Sequence, residues 1–174
     1  KRLLAGGAAS GSGVGPTVIT GVIGVVKAYA TRVGNGPFPT ELSDKTGEWL
    51  QKKGGEFGAT TGRPRRCGWL DLAQLKRSKM VNGLTSLAIT KLDILTGLDK
   101  IMVCTHYDKK GQPVYKEFDG WNEDLIGSKS LQALPENVKR YLNFMEKEID
   151  IPIVFISIGP GRGDDIIIEN PFNL

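Results

Sequence analysis

Short apolar runs bounded by turn residues predict the strands of this chain. Residues 84–90 (LTSLAIT) follow Asn82-Gly83 and are largely apolar, which is the pattern of a buried strand. Two further runs flank a turn at residues 108–111 and predict a hairpin. The runs that predict strands are 84–90, 100–107, 112–118, 151–157 and 165–169.

Apolar residues recur at helical spacing between residues 17 and 32. This spacing predicts a mostly buried helix that begins near Pro16. Residues 5–16 (AGGAASGSGVGP) are expected to form a small-residue loop before it. A glycine-rich loop in front of a helix can hold phosphate on its free N–H groups. No Gly-Lys-Ser/Thr ending follows this loop, however, so a structural role is favoured.

Start signals predict three more helices, which begin at Asp44 or Thr46, at Asp71 and at Pro135. Gly54-Gly55 is expected to end the first of them. The apolar residues expected to face the core are Trp49, Leu50, Leu72, Leu75, Met80, Val138, Tyr141, Leu142 and Met145. Strands and helices thus alternate, and this order indicates an α/β fold with a mostly parallel sheet. Ligands bind such sheets beyond the carboxyl ends of the strands.

The composition is that of an ordinary globular protein, with 40% hydrophobic and 24% charged residues among 174. The net charge is +4, and no long run of like charges occurs, so a solvated basic surface is favoured over nucleic-acid binding. No membrane span and no signal peptide are expected. Cys67, Cys104 and His106 make a poor zinc set, so the cysteines are expected to be reduced thiols of a cytoplasmic protein.

The segment Lys91-Leu92-Asp93 directly follows a predicted buried strand. A carboxylate in that position can accept hydrogen bonds from both N1–H and the N2 amine of guanine. Adenine has an unprotonated ring nitrogen at the same edge, so the carboxylate would reject it. The stem of Lys91 can lie over the purine face. A Lys and an Asp two residues apart are common, but the position at a strand end supports a guanine site as well as a chance match.

A second predicted strand ends at Ser157-Ile158-Gly159. The hydroxyl group of Ser157 could line the other side of a base pocket, and Gly159 would let the backbone approach the base closely. Taken singly, this segment is better interpreted as an ordinary turn after a strand.

Residues 58–66 (GATTGRPRR) form a third candidate element. Small residues expose backbone N–H groups, and planar guanidinium groups bind carboxylates or phosphates as a fork. Pro64 stiffens the loop and limits Arg63 to an extended backbone. An amino dicarboxylate fits this loop chemically, and a solvated basic loop is the alternative. The ATTG segment favours binding, because a solvated basic loop does not require it.

Four longer segments resemble the adenylosuccinate synthetase family in order and spacing. They are TRVGNGPFPTEL from Thr31, GEFGATTGRPRRCGWLD from Gly55, LTSLAITKLDIL from Leu84 and FISIGPGRGD from Phe155. The resemblance runs from about residue 5 to the end of the chain. It implies an enzyme that joins IMP to L-aspartate with GTP and Mg2+, by phosphorylating the 6-oxygen of IMP and then displacing phosphate with the aspartate amine. It also implies a P-loop-NTPase-like fold, with this chain part of a larger central sheet, and a cytoplasmic homodimer.

The resemblance also implies the ligand contacts, motif by motif. Aspartate is held by the mobile loop that comprises Ala59, Thr60, Thr61, Gly62, Arg63, Pro64 and Arg65. IMP contacts the backbone of Val33 and the side chain of Arg63. The GTP contacts are Arg65, Lys91, Leu92, Asp93, Ser157, Ile158 and Gly159.

Two features of the family have no counterpart in this sequence. One is the GDEGKGK phosphate loop, whose Asp is both general base and metal ligand, and the other is the catalytic histidine downstream of it. Catalytic and metal-binding residues are therefore expected to be absent, and His106 is expected to be structural. Residues 1–174 are interpreted as the carboxyl-terminal portion of the enzyme domain, inactive alone. The alternatives are a non-catalytic guanine-nucleotide-binding module and, less favoured, a basic nucleic-acid-binding protein.

Overall fold

The computed structural model describes residues 4–170, and helices and strands alternate within them in an α/β fold. The α-helices are α1 (Gly6–Ser12), α2 (Lys45–Lys53), α3 (Leu72–Asn82) and α4 (Glu136–Ile149). The strands are β1 (Ile23–Lys27), β2 (Ala30–Arg32), β3 (Arg66–Gly68), β4 (Leu70–Asp71), β5 (Ser86–Thr90), β6 (Lys100–Tyr107), β7 (Pro113–Asp119), β8 (Ile153–Ser157) and β9 (Asp165–Ile167). Residues 1–3 and 171–174 of the predicted domain lie outside the described residues. Within the described range, no helix is long and apolar enough to cross a membrane.

One sheet of four strands, in the order β1-β5-β8-β9, contains the buried strands that the sequence predicts. Strands β1, β5 and β8 are parallel, and β9 is antiparallel to β8. Leu87 and Ile89 on one face of β5 and Ser86 and Ala88 on the other are all buried, so both faces of this strand are covered. The predicted mostly parallel sheet is confirmed here, and the carboxyl ends of β1, β5 and β8 lie at one edge.

Two smaller sheets are not mainly parallel. Strands β2 and β3 are antiparallel, with Arg32 opposite Arg66. Strands β6 and β7 form the predicted hairpin, and β4 adds to it in parallel beside β6. The hairpin turn is held by Asp108, whose carboxylate accepts hydrogen bonds from the backbone N–H groups of Lys110 and Gln112, each at 2.8 Å.

The predicted helix over residues 17–32 is wrong. This segment forms the strands β1 and β2, preceded by a short 3-10 turn at Pro16–Val18. Its apolar residues are mostly β-branched and fit a pleated strand as well as a helix, and pairing with β5 decides between the two. The predicted loop over residues 5–16 is also wrong in part, because Gly6–Ser12 forms the helix α1.

Helices α2, α3 and α4 begin where the sequence predicts. The carboxylate of Asp44 accepts a hydrogen bond from the backbone N–H of Gly47 at 3.0 Å and caps α2. Pro135 precedes the first residue of α4. This helix buries the four residues expected to face the core, and the Tyr141 hydroxyl donates to the backbone oxygen of Ala28 at 2.7 Å. Helix α4 is thereby joined to the segment between β1 and β2.

Two of the residues expected to face the core are instead exposed. Trp49 of α2 is 40% exposed, and its indole N–H donates to the backbone oxygen of Ile94 at 3.3 Å. Met80 of α3 is 64% exposed. Leu50, Leu72 and Leu75 are buried as predicted. The two errors are at large apolar residues near the edge of a helical apolar face, where periodicity does not define burial closely.

Asp44 caps α2 and Asp71 caps α3. Asp71 has additional hydrogen-bond partners, so its removal should lower the unfolding free energy more than removal of Asp44. Asp71 is buried and accepts hydrogen bonds from the Tyr107 hydroxyl and from two nitrogens of Gln74, at 3.0 and 2.7 Å. Asp44 is exposed, and within residues 4–170 its carboxylate makes only the cap bond to Gly47. Asp44→Ala should cost about 1 kcal/mol of unfolding free energy. Asp71→Ala should cost at least about 1 kcal/mol more, because Tyr107 and Gln74 lose a buried acceptor. Equilibrium urea unfolding measures both, and equal losses would contradict this account.

Candidate functional site

The two predicted guanine-binding segments lie at the carboxyl ends of parallel strands. Lys27 ends β1 and is paired with Thr90, the last residue of β5. Lys91 directly follows β5, and Ser157 ends β8. Because β5 lies between β1 and β8, these strand ends meet at one edge of the sheet.

The predicted guanine segment forms a tight turn after β5. Lys91 has a left-handed backbone with φ of 59° and leads into the 3-10 turn Leu92–Leu95. The Leu92 side chain is fully buried, so only its backbone is available to a ligand. Among residues 4–170, the partly buried carboxylate of Asp93 accepts a hydrogen bond only from its own backbone N–H. Its remaining lone pairs can accept N–H donors from a ligand.

Burial and nearby charges act in opposite directions on Asp93. Desolvation raises the pKa of Asp93, while its own backbone N–H and the ammonium groups of Lys91 and Lys53 work to lower it. The carboxylate of Asp164 adds a smaller upward effect. The net pKa shift is upward, as expected for a carboxylate that has lost water without gaining a direct ionic partner.

The turn after β8 is closed by Asp164. The backbone N–H of Ile158 donates to the Asp164 backbone oxygen at 2.9 Å, and the Asp164 carboxylate accepts the N–H of Gly161 at 2.8 Å. A Cβ on Gly159 would lie 2.6 Å from that carboxylate, so a larger residue here would displace the Asp164 side chain. The Ser157 hydroxyl donates to the Gly159 backbone oxygen at 3.2 Å. The Ile158 side chain is buried, so a ligand can reach only its backbone.

The basic loop at residues 58–66 is closed by its own backbone. The N–H of Gly58 donates to the Arg63 oxygen, and the N–H of Gly62 donates to the Gly58 oxygen, each at 2.8 Å. Gly62 has a φ of 60°, a conformation that favours glycine. The residues exposed at the tip are Ala59, Thr60, Thr61, Gly62, Arg63 and Pro64. In the part of the chain that the structure describes, the Arg63 guanidinium and the N–H groups of residues 59–61 have no hydrogen-bond partner.

A buried carboxylate, Glu56, lies beneath this basic loop. It accepts hydrogen bonds from Lys27 at 2.7 and 2.8 Å, from the Tyr29 hydroxyl at 2.6 Å and from Arg65 at 2.9 Å. The Lys91 ammonium lies 3.8 Å from the same carboxylate. These five residues are called the Glu56 cluster below. It connects the strand β1, the basic loop and the guanine segment.

The electrostatics of the cluster keep Glu56 ionised. Burial works to raise the pKa of Glu56, but the hydrogen bonds from Lys27, Tyr29 and Arg65 outweigh it, and the pKa is lowered. Burial, together with the hydrogen bond to Glu56, raises the pKa of Tyr29. The phenol therefore remains a hydrogen-bond donor, and Glu56 remains a charged acceptor.

Val33 lies beside the basic loop. It follows β2, which is paired with β3 so that Arg32 is opposite Arg66. The Arg66 guanidinium donates to the backbone oxygens of Gly34 and Gly36, at 2.9 and 2.7 Å, and is paired with the Glu41 carboxylate. Arg66 thus holds the loop after Val33, whose side chain is 79% exposed.

The structure brings some of the sequence-predicted residues into one group and leaves the tip of the basic loop outside it. Lys91, Leu92 and Asp93 neighbour the Ser157 turn through the pairing of β5 with β8, and Arg65 neighbours Lys91 through Glu56. The loop tip that carries Arg63 extends from this group into solvent. Sequence reasoning missed Glu56 and Lys27. Lys27 was missed because its segment was predicted to be a helix and not a strand that ends at the site. The one signal for Glu56 in the sequence was its position directly before a basic loop.

Of the two cysteines and the histidine, Cys67 lies next to the Glu56 cluster, where its thiol donates to the Arg65 backbone oxygen at 3.6 Å, and Cys104 and His106 lie on β6. Cys67 and Cys104 are buried and free, and burial raises the pKa of each thiol to about 11. His106 is exposed on β6, where its ring lies 2.9 Å from the Thr105 hydroxyl. Within residues 4–170, no group of three His, Cys, Asp or Glu side chains could hold a metal ion.

These features define an α/β protein with polar loops at the carboxyl edge of a parallel sheet. Residues 2–166 match the family model described as adenylosuccinate synthetase. The chain belongs to the adenylosuccinate synthetase family, and the resemblance in the sequence is confirmed.

Relatives named adenylosuccinate synthetase support this membership. That of Clostridium kluyveri is 52% identical over 96% of this chain, and that of Moorella thermoacetica is 50% identical over 97%. The chain spans 43% of the length of each. The fold is similar to a solved structure described as fully ligated adenylosuccinate synthetase from Plasmodium falciparum. The TM-score is 0.90 and the identity 41%, covering 94% of this chain and 43% of that one.

The lowered pKa of Glu56 predicts how stability depends on pH. A carboxylate whose pKa is lower in the folded than in the unfolded chain stabilises the fold above its ordinary pKa, here 4.5. That contribution is lost as the pH falls through the folded-state value. The difference in unfolding free energy between wild type and Glu56→Gln should therefore shrink between neutral pH and about pH 3. Urea unfolding along this pH series measures it, and a difference that stays constant or grows would contradict the assignment.

Proposed function

We propose that this chain supplies the guanine pocket and the aspartate loop of a ligase that joins L-aspartate to IMP with GTP. The products are adenylosuccinate, GDP and phosphate. The observation that carries the proposal is the position of Asp93. Its free, partly buried carboxylate lies at the same sheet edge as the cations of the Glu56 cluster, in a member of this family.

Guanine binds between the two strand ends in this proposal. Asp93 accepts the N1–H and N2 donors of the base as a charge-assisted pair. The Lys91 ammonium donates to the Gly54 backbone oxygen at 2.5 Å, so the stem of Lys91, rather than its charge, is what the purine face contacts. The backbones of Leu92 and Ile158, with Ser157 and Gly159, line the remaining edge.

Aspartate binds at the basic loop. The free N–H groups of Ala59, Thr60 and Thr61, together with the two threonine hydroxyls, accommodate one carboxylate. The guanidinium groups of Arg63 and Arg65 bind the other as planar forks. Gly62 and Pro64 set the backbone path that presents these groups, and Arg65 also lies next to the nucleotide side through Glu56.

IMP binds at the edge of the same loop. The exposed backbone at Val33 contacts the ribose, and Arg63 contacts the nucleotide from the loop tip. Arg66 supports this arrangement, because it fixes the two backbone oxygens that follow Val33.

The reaction proceeds by two displacements. The 6-oxygen of IMP attacks the γ-phosphorus of GTP as N1 of IMP loses its proton, and GDP leaves with the electrons of the broken bond. The aspartate amine then attacks C6, phosphate leaves with its bonding electrons, and the nitrogen loses a proton. Cations fixed beside the reacting groups stabilise the negative charge that develops. Dependence on Mg2+, a homodimeric assembly and a cytoplasmic location belong to the same proposal, and no step is assigned to the metal.

Asp93→Asn in the full-length gene product tests the guanine assignment. The NH2 group that replaces one carboxylate oxygen cannot accept from N2 of guanine, but it can donate to the 2-oxygen of xanthine. GTP use should therefore fall by roughly 10- to 100-fold, as expected when hydrogen bonds to a charged group are lost. Use of xanthosine triphosphate should rise. Steady-state kinetics with each nucleotide measures both, with Asp99→Asn, in an exposed position nearby, as the control. An unchanged preference for GTP would remove Asp93 from base recognition.

Arg63→Lys tests the aspartate assignment. The substitution keeps the charge but removes the planar fork, so the KM for aspartate should rise by roughly 10-fold. Arg77→Lys, on the exposed face of α3, is the matched control and should leave the KM unchanged. Equal KM values for the two variants would show that the loop does not bind aspartate through Arg63.

A further inference from the structure

We propose that Glu56 is a positioning residue that couples the aspartate loop to the guanine segment, although it contacts neither ligand. The inference rests on the proposed function above. Glu56 is fully buried, whereas the side chains of its three cationic partners are 27%, 33% and 38% exposed for Lys27, Arg65 and Lys91. A ligand therefore meets the cations, and Glu56 acts through them.

Glu56 holds Arg65 by both its side chain and its backbone. The Arg65 guanidinium donates from Nη1 to the Glu56 carboxylate at 2.9 Å, and the Arg65 N–H donates to the Glu56 backbone oxygen at 2.8 Å. The backbone oxygen of Gln51, in α2, accepts the Glu56 N–H at 2.8 Å, and the Gln51 side-chain amide donates to the Arg65 backbone oxygen at 2.9 Å. Within residues 4–170 the other guanidinium nitrogens of Arg65 have no partner, so they remain available to a substrate carboxylate.

Glu56 holds Lys91 by charge and by chain geometry. The Lys91 ammonium lies 3.8 Å from the Glu56 carboxylate and donates to the backbone oxygen of Gly54, two residues before Glu56. Lys91 itself has a left-handed backbone that begins the turn to Asp93. A shift of this ammonium therefore changes the turn that presents Asp93, and the same carboxylate controls both subsites.

Charge balance makes the cluster sensitive to Glu56. Lys27, Arg65 and Lys91 carry three positive charges against one carboxylate, which leaves +2 after ionisation. Removing the carboxylate leaves +3 at short distances, and the cations would repel one another. A glutamine side chain also places an NH2 group among donors and offers one acceptor oxygen in place of two.

Glu56→Gln in the full-length gene product tests this inference. The KM values for both aspartate and GTP should rise by roughly 10- to 100-fold, because charged hydrogen bonds that orient the two loops are lost. The KM for IMP should change less, because Arg66 holds the Val33 loop independently. Glu56→Asp keeps the charge and should restore part of both losses. Glu148→Gln, which breaks the remote ion pair with Lys76, is the matched control.

A double-mutant cycle separates positioning from a merely structural role. In an Arg65→Ala background, Glu56→Gln should add little to the KM for aspartate, because the two residues act as a unit. Lower thermal stability with unchanged KM values, or additive effects with Arg65→Ala, would overturn the inference. If wild type fails to use GTP and aspartate, the proposed function fails instead. If Glu56→Gln does not fold, the comparison of Glu56→Asp with wild type decides, and unchanged KM values there overturn the inference.

Discussion

A buried carboxylate persists in a folded protein only where hydrogen bonds and positive charges replace the water that it has lost. Glu56 meets this requirement with hydrogen bonds from Lys27, Tyr29 and Arg65 and with the positive charge of Lys91, which lies 3.8 Å away. Because all of them must reach one fully buried group, the end of β1, the basic loop and the turn after β5 are fixed relative to one another. The geometry of the candidate site follows from satisfying this single charge.

The parts of the fold that sequence predicted are those in which local pattern and tertiary packing agree. Helix α4 has a continuous apolar face, and the hairpin β6–β7 has a clear turn signal, so both were predicted closely. The error over residues 17–32 arose where β-branched residues fall at a spacing that suits a helix and a strand alike. There the parallel pairing of β1 with β5, at residues far away in sequence, decided the outcome.

The candidate site was predictable to the same extent. Polar residues directly after buried strands identified Asp93 and Ser157, because parallel strand ends share one edge of a sheet. Glu56 could not be assigned in this way, since its role depends on partners at 9 to 35 residues' distance along the chain and on the position of β1. The burial of the Leu92 and Ile158 side chains could not be predicted from the sequence either. Because these side chains are buried, only the backbone atoms of the two residues can contact a ligand.

The distribution of charge gives the site a direction. The Glu56 cluster has excess positive charge, and Arg63 adds another cation at the exposed loop tip. Asp93 lies two residues after Lys91. Burial disfavours its negative charge and raises its pKa, and the nearby carboxylate of Asp164 raises this pKa further. Phosphates and carboxylates are attracted to the first region and N–H donors to the second. In the proposed complex a purine nucleotide therefore binds in one orientation, with its base toward Asp93 and its negative charge toward the arginines.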